Sequence, residues 1–390
     1  MVIVYSVGQH IILEYTNSSR DFRKGILKFS ERLVRLSQFI LIAILLCIIL
    51  QMLINSEYST ILLKAVVWIN YLIFAIMTGL LSYMFFSWFI SGRNLVVILY
   101  AVAMAGLSFN AIMVVPYVMT ELSGKDQRGL AYVHSTTNYK LLITYAENIF
   151  NSLFVLSGVL SFTLTWIATV FLLRHYSSRV GKTKYWIFVT IPLVFFLGQF
   201  QGLFFNLFAA YRLSDPISFG VIYTMLFNII RPMAGILFGI VFWSIARSIK
   251  NAKVQQYMMI SAYGMILLFA SNQPLGLTFL PYPPFGLVTI SFLGLASYLI
   301  LVGIHSSALS VANDIELRRS IKESVRKESN LLGNIGSAQM ESALQNRVMK
   351  IVEDLSEEIT QETGVESSIE ENEIKDYVQT AIEELKARKK

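Results

Sequence analysis

Hydrophobic residues in this chain come in long blocks, with little strict alternation. Apolar stretches fall at roughly 37–54, 66–90, 95–119, 149–173, 186–209, 219–243, 255–279 and 284–306. A helix needs about 18 such residues to cross the roughly 30 Å hydrocarbon core of a bilayer. The pattern predicts an all-α fold: a polytopic transmembrane helix bundle of about eight spans, over residues 37–309, with a cytoplasmic helical tail. Residues 1–36 form a separate basic segment, carrying Arg20, Arg23, Lys24, Lys28, Arg32 and Arg35. There Phe22, Ile26, Phe29 and Leu33 recur at three- and four-residue spacing, which predicts an amphipathic helix lying on the membrane surface.

Beyond the last block the pattern changes. Residues 310–359 read as charged juxtamembrane and coiled-coil-like helices, with Gly333 and Gly336 bracketing an expected break. Leu344, Val348, Ile351, Leu355 and Ile359 then follow at spacings of 4, 3, 4 and 4, a short stripe of coiled-coil type. Residues 360–390 read as a linker and a C-terminal amphipathic helix opened by a capping box, Ser368 with Glu371. Its apolar face, Ile374, Tyr377, Val378, Ala381, Ile382 and Leu385, calls for a partner, either the preceding helix or another protein, whereas the stripe at 344–359 points to a homo-oligomer.

Composition agrees with a chain solvated by lipid. Of 390 residues, 55% are hydrophobic and 15% charged, against about a quarter charged in soluble domains. The net charge of +7 is unevenly placed. Residues 1–312 hold 20 Lys/Arg against 8 Asp/Glu, and residues 313–390 hold 12 against 17. The basic excess thus belongs to the membrane part and gives no reason to expect nucleic acid. With the N-terminus cytoplasmic, the inner segments carry 14 cations and the outer loops 5, as the positive-inside rule requires. The expectation is a multi-pass protein of the cell membrane with both termini cytoplasmic. No cleavable signal peptide is visible, and the sequon Asn17-Ser18-Ser19 falls on the cytoplasmic side.

Candidate chemistry is sparse. No Asp or Glu falls inside any block, which disfavours a carboxylate proton relay. There is no HExxH, GxxxxGK[ST] or GxSxG pattern. The four histidines (His10, His134, His175, His305) have no metal-ligand spacing, and Cys47 is the single cysteine. No catalytic residue, metal or cofactor is therefore expected, and the chain reads as a non-enzyme.

One residue stands out. Arg231 lies near the middle of the sixth block, where a cation costs at least about 2.5–3.5 kcal/mol unless it faces protein or water. Pro232 follows it and frees the carbonyl of Asn228. Gln199, Gln201, Asn110, Asn272 and Gln273 fall in the outer parts of their spans, and Asn70 lies near the outer end of the second. Glu147, in the long outer loop at about 120–148, is the carboxylate that could reach this region. The inner half reads as nearly pure hydrocarbon. Two readings stand side by side. These groups tie the helices together, as interhelical hydrogen bonds of about 0.6–2 kcal/mol do. Alternatively, Arg231, Asn228, Gln199, Gln201, Asn110, Asn272, Gln273 and Glu147 line an external cavity for a small anionic or polar ligand. Two GxxxG patterns, Gly198 with Gly202 and Gly235 with Gly239, predict close helix approach on the fifth and sixth spans.

A multi-span bundle leading from its last helix into a charged helix, Ser310 to Asn330, resembles the seven-span sensory domains of archaeal and bacterial histidine kinases. The segment Leu331-Leu332-Gly333-Asn334-Ile335-Gly336-Ser337-Ala338-Gln339-Met340-Glu341 resembles that of uncharacterised archaeal multi-span proteins. The kinase part is absent, since no histidine follows His305. The resemblance implies a sensor whose output is contact between a cytoplasmic protein and residues 310–390. A transporter for an anionic small molecule is the alternative, with a membrane enzyme third. The topology has a direct check: with Cys47→Ser as background, Ser178→Cys should react with an impermeant thiol reagent only from the cytoplasmic side, and Ser214→Cys only from outside. The reverse labelling, or both from one side, would overturn it.

Overall fold

The computed structural model describes residues 26–55, 59–123, 149–174, 181–198, 214–249, 251–273, 286–323 and 327–363, besides isolated positions. These residues are helical, with no strand among them. The helices are α1 (Ile26–Asn55), α2 (Thr60–Gly92), α3 (Leu95–Ser123), α4 (Ile149–Leu173) and α5 (Lys182–Gly198). They continue as α6 (Pro216–Ser248), α7 (Ala252–Ser271), α8 (Gly286–Ile290), α9 (Leu293–Asn313), α10 (Ile315–Glu323) and α11 (Lys327–Thr363). Among the described residues, five segments are long and apolar enough to cross a bilayer: Leu27–Ile54, Ile61–Gly92, Leu95–Pro116, Ser152–Leu173 and Leu287–Asn313.

Local chemistry sets the ends. Ser59 caps α2 by accepting from the Ile61 N–H, at 3.3 Å. Arg93 ends α2 in the left-handed region, φ 45°, and Asn94 then accepts from the Val96 N–H at 2.8 Å to open α3. Asp215 opens α6 by accepting from Ser218, with Pro216 at the first position, where its missing N–H costs nothing. Asn251 caps α7 through two backbone N–H groups, at 3.0 and 3.3 Å.

Burial ranks the helices. In the apolar window of α9, 83% of residues are buried inside the protein, against 33% for α1. So α9 is central, and α1 presents Leu36, Phe39, Leu50 and Leu53 outward, as lipid solvation allows. The closest approaches need missing side chains. A Cβ on Gly303 of α9 would stand 2.5 Å from the Tyr257 carbonyl and 2.8 Å from the Ser261 N of α7. Gly235 and Gly239 of α6 face Phe269, Ile266 and Ala262. That GxxxG pair therefore docks α6 on α7. Of the other pair, Gly202 lies outside the described residues.

Four expectations change. Residues 26–35 form no separate surface helix, because α1 runs unbroken from Ile26 to Asn55. An ion pair between Glu31 and Arg35, at 2.6 Å, joins successive turns of its first part. Gly333 and Gly336 do not break the tail, since α11 continues through both. Their lack of side chains serves packing: a Cβ on Gly333 would press the Ile321 side chain at 3.0 Å, and one on Gly336 would collide with Val311. The passage from α9 into the tail is a one-residue joint. Asp314 is extended, φ −109° and ψ 107°, and caps α10 through the Leu317 N–H at 2.9 Å.

The half of the bundle expected to be nearly pure hydrocarbon also carries polar groups. Ser157, Ser161, Thr165 and Thr169 form a buried hydroxyl stripe down α4 at four-residue spacing. Ser161 donates to the Ala103 carbonyl of α3 at 2.9 Å, and Ser82 of α2 donates to the Ala101 carbonyl at 2.8 Å. Such bonds hold helices together where the hydrophobic effect gives no drive.

Residues 124–148 of the loop expected outside at about 120–148, the N-terminal residues 20–25, Pro274 and the C-terminal helix expected at 368–390 lie outside the described residues. On α11, Leu344, Val348 and Ile351 are at least partly exposed, whereas Leu331, Leu332, Ile335 and Ala338 are buried against the bundle. Replacing Gly303 by Ala should cost about 1–3 kcal/mol through overpacking, read as a lower melting temperature in detergent. Gly92→Ala, with Asn334 O the nearest atom at 3.8 Å, serves as control. Equal melting temperatures for the two variants would contradict this packing.

Candidate functional site

Arg231 sits in mid-α6 and reaches across to the end of α7. There Ser271 is the last helical residue and Asn272 the C-cap, whose N–H closes on Leu268 O at 2.9 Å. A helix end leaves its final carbonyls without intrahelical partners and carries about half a negative charge. Arg231 Nη1 donates to one of these, the Asn272 carbonyl. Its guanidinium also lies 5.9 Å from the centroid of the Phe196 ring of α5, within cation–π range. A helix terminus and an aromatic face are thus two of the guanidinium's neighbours.

The side chain of Asn272 is held in turn. Its Oδ1 accepts from the Tyr71 hydroxyl of α2, at 3.5 Å, the far limit of a hydrogen bond. Asn110 of α3 is tied to α4: its Nδ2 donates to the Phe154 carbonyl at 2.7 Å and to Ser157 Oγ at 3.0 Å. Between these groups lies a void lined by Leu107, Asn110, Gly158, Phe162, Phe196, Arg231, Phe269 and Asn272. Phe162 and Phe196 stack at 3.8 Å, and Phe269 meets Phe162 edge-on at 6.0 Å, giving the void an aromatic wall.

The void is small, about 20 Å³. A single water needs roughly 10–15 Å³ on this measure, and organic ligands occupy pockets of about 300–1,000 Å³. The described cavity thus has room for one species of roughly water size.

Of the residues expected at the site, the structure brings Arg231, Asn110 and Asn272 together. Gln273 adjoins Asn272 in sequence and is not among the lining residues. Gln199, Gln201 and Glu147 lie outside the described residues, as does the side chain of Asn228. Arg231 donates to the carbonyl of Asn272, at the end of a neighbouring helix. Asn70 turns to its own helix, donating to Val66 O at 2.9 Å, and its neighbour Tyr71 makes the link to Asn272. Sequence reasoning passed over Tyr71, Phe162, Phe269 and Gly158. A buried-hydroxyl argument could have found Tyr71, but nothing in the spacing marks the others. No group of three or more His, Cys, Asp or Glu able to hold a metal occurs among the described residues.

Comparison with protein-family models, with curated proteins and with solved structures returns no match to this chain. The functional reading therefore rests on this geometry.

Unequal bonds predict unequal losses. Asn110→Ala removes two short interhelical bonds and should cost roughly 1–3 kcal/mol. Tyr71→Phe removes one long bond and should cost below about 0.5 kcal/mol. Unfolding in mixed micelles measures both, and equal losses would contradict the geometry.

Proposed function

We propose that this chain is a membrane-embedded sensor, crossing the cell membrane about eight times with both termini cytoplasmic. Its input is the Arg231 site, reached from outside by a small anionic or polar ligand, and its output is a protein contact made by residues 310–390. One observation carries the reading. The same helix, α2, donates from Tyr71 to Asn272 at the site and from Trp88 Nε1 to Gln339 Oε1 of α11, at 2.9 Å. These two residues are 17 positions apart, roughly 25 Å along a rigid helix. The central helix α9 also meets the tail, through Val311 against Gly336. A small shift at the Arg231 end of α2 is thereby felt where the tail docks. Such a device needs two packings of similar energy, and the one-residue joint at Asp314 lets the tail move separately from α9.

A transporter for an anionic small molecule is the second reading. The hydroxyl stripe Ser157, Ser161, Thr165 and Thr169 favours it, because it carries polarity below the site.

The sensor reading is tested on the full chain in nanodiscs, with Cys47→Ser and spin labels at Ala343→Cys on α11 and Lys253→Cys at the start of α7. Arg231→Ala should shift or broaden the label-to-label distances. An unchanged distribution would sink the coupling. Removing residues 342–390 leaves the docked segment in place. Anion flux in liposomes that survives this truncation would favour the transporter.

A further inference from the structure

We propose that the outward face of α1 binds an anionic phospholipid. Lys28, Arg32 and Arg35 hold its phosphodiester headgroup, and its acyl chains lie along the apolar stripe that follows them. No residue of α1 lines the void beside Arg231, so this surface stands or falls apart from the sensor reading.

Length places the cations. α1 is 30 residues long, about 45 Å at 1.5 Å per residue, whereas the hydrocarbon core is about 30 Å thick. Residues 36–55 carry no charge and match that thickness by themselves. Set in a bilayer on this run, the helix holds Arg35 at the edge of the core. Arg32 and Lys28 stand about 6 and 12 Å beyond Leu36 along the axis. Headgroups occupy about the first 5–8 Å outside the core, within reach of all three long side chains.

Periodicity sets the face. Lys28, Arg32 and Arg35 follow at spacings of four and three, so they share one side of the helix, and all three are exposed. Phe39, Leu46, Leu50 and Leu53 continue that side and are exposed as well. The opposite side, Ser30, Val34, Leu41, Leu45 and Ile48, is buried, with α1 packed on α2 and α9. A cationic step thus leads directly into an apolar stripe, which is the order of groups in a phospholipid.

Charge selects the headgroup. Residues 26–35 hold three cations and one carboxylate, Glu31, which pairs with Arg35 at 2.6 Å. The surplus is positive in a layer where each Lys or Arg gains roughly fivefold in affinity for an anionic surface. A phosphatidylcholine headgroup brings its own cation and offers no such gain. Free phosphate has no chains to cover Phe39 and Leu46.

The experiment reads lipid preference at α1 in vesicles containing the full chain. With Cys47→Ser as background, Ala43→Cys on the exposed side of α1 carries a bimane label about 10 Å into the core from Leu36. Phosphatidylcholine is replaced stepwise by phosphatidylcholine or phosphatidylglycerol brominated at mid-chain, and quenching reports which lipid lies beside the label. Half-maximal quenching is expected at an at least about threefold lower fraction of the brominated phosphatidylglycerol. Lys28→Gln, Arg32→Gln and Arg35→Gln together should bring the two curves into coincidence. Lys28→Arg, Arg32→Lys and Arg35→Lys together should keep them apart. Each variant is judged by the ratio of its own two curves, so a change in packing that moves both alike cancels. Lys182→Gln, Lys184→Gln and Lys253→Gln, at three exposed cations of α5 and α7, should leave the ratio of the parent chain. Coincident curves in the parent chain would overturn the proposal. So would a preference that survives in the α1 glutamine variant, or one that falls equally in the α5 and α7 variant, because overall charge and not this face would then choose the lipid.

Discussion

An arginine in the middle of a helix bundle that lipid solvates must find compensation from protein, because the bilayer offers none. Here the compensation is a helix end. The Asn272 carbonyl, at the end where α7 stops making its own hydrogen bonds, accepts from Arg231. This single meeting fixes where α7 stops and how α6 lies against it. It also explains why Gly235 and Gly239 line the shared face: their missing side chains bring the helices close enough for Arg231 to reach Asn272. Asn272 then passes the constraint to α2 through Tyr71.

The rest of the bundle follows from the same scarcity. With water absent, hydroxyls and amides bond across helices or back to their own carbonyls, as Asn110, Ser82 and Ser161 do. At the other end of α2 the requirement relaxes, and a less apolar helix, α11, can dock. Its buried face, Leu331, Leu332, Ile335 and Ala338, packs beside Gly336, where the approach to Val311 leaves no room for a side chain. Beyond that face α11 carries Leu344, Val348 and Ile351 away from the bundle, where they are not covered.

Much of this was legible in the chain itself. Apolar blocks marked the helices because lipid solvation forces long, charge-free runs, and Arg231 was conspicuous as the cation inside one. What the residues could not show was pairing. Arg231 and Asn272 are 41 positions apart on different helices, and no spacing rule links a mid-helix arginine to a C-cap carbonyl. The hydroxyl stripe on α4 was present as a four-residue period, but Ser and Thr blend into an apolar run because hydroxyls such as those of Ser157 and Thr165 can bond back to their own helix. Gly333 and Gly336 looked like breakers because glycine lowers helix propensity. Tertiary contact outweighs that preference here.

The central claim is that the Arg231 guanidinium holds the end of α7. Hydrogen–deuterium exchange over residues 264–273 of the full chain in nanodiscs tests it most directly. Neutralising the cation with Arg231→Gln should speed exchange in that last turn while α3 and α4 keep their protection. Unchanged protection there would mean that α7 ends where it does for some other reason, and the account would fall with it.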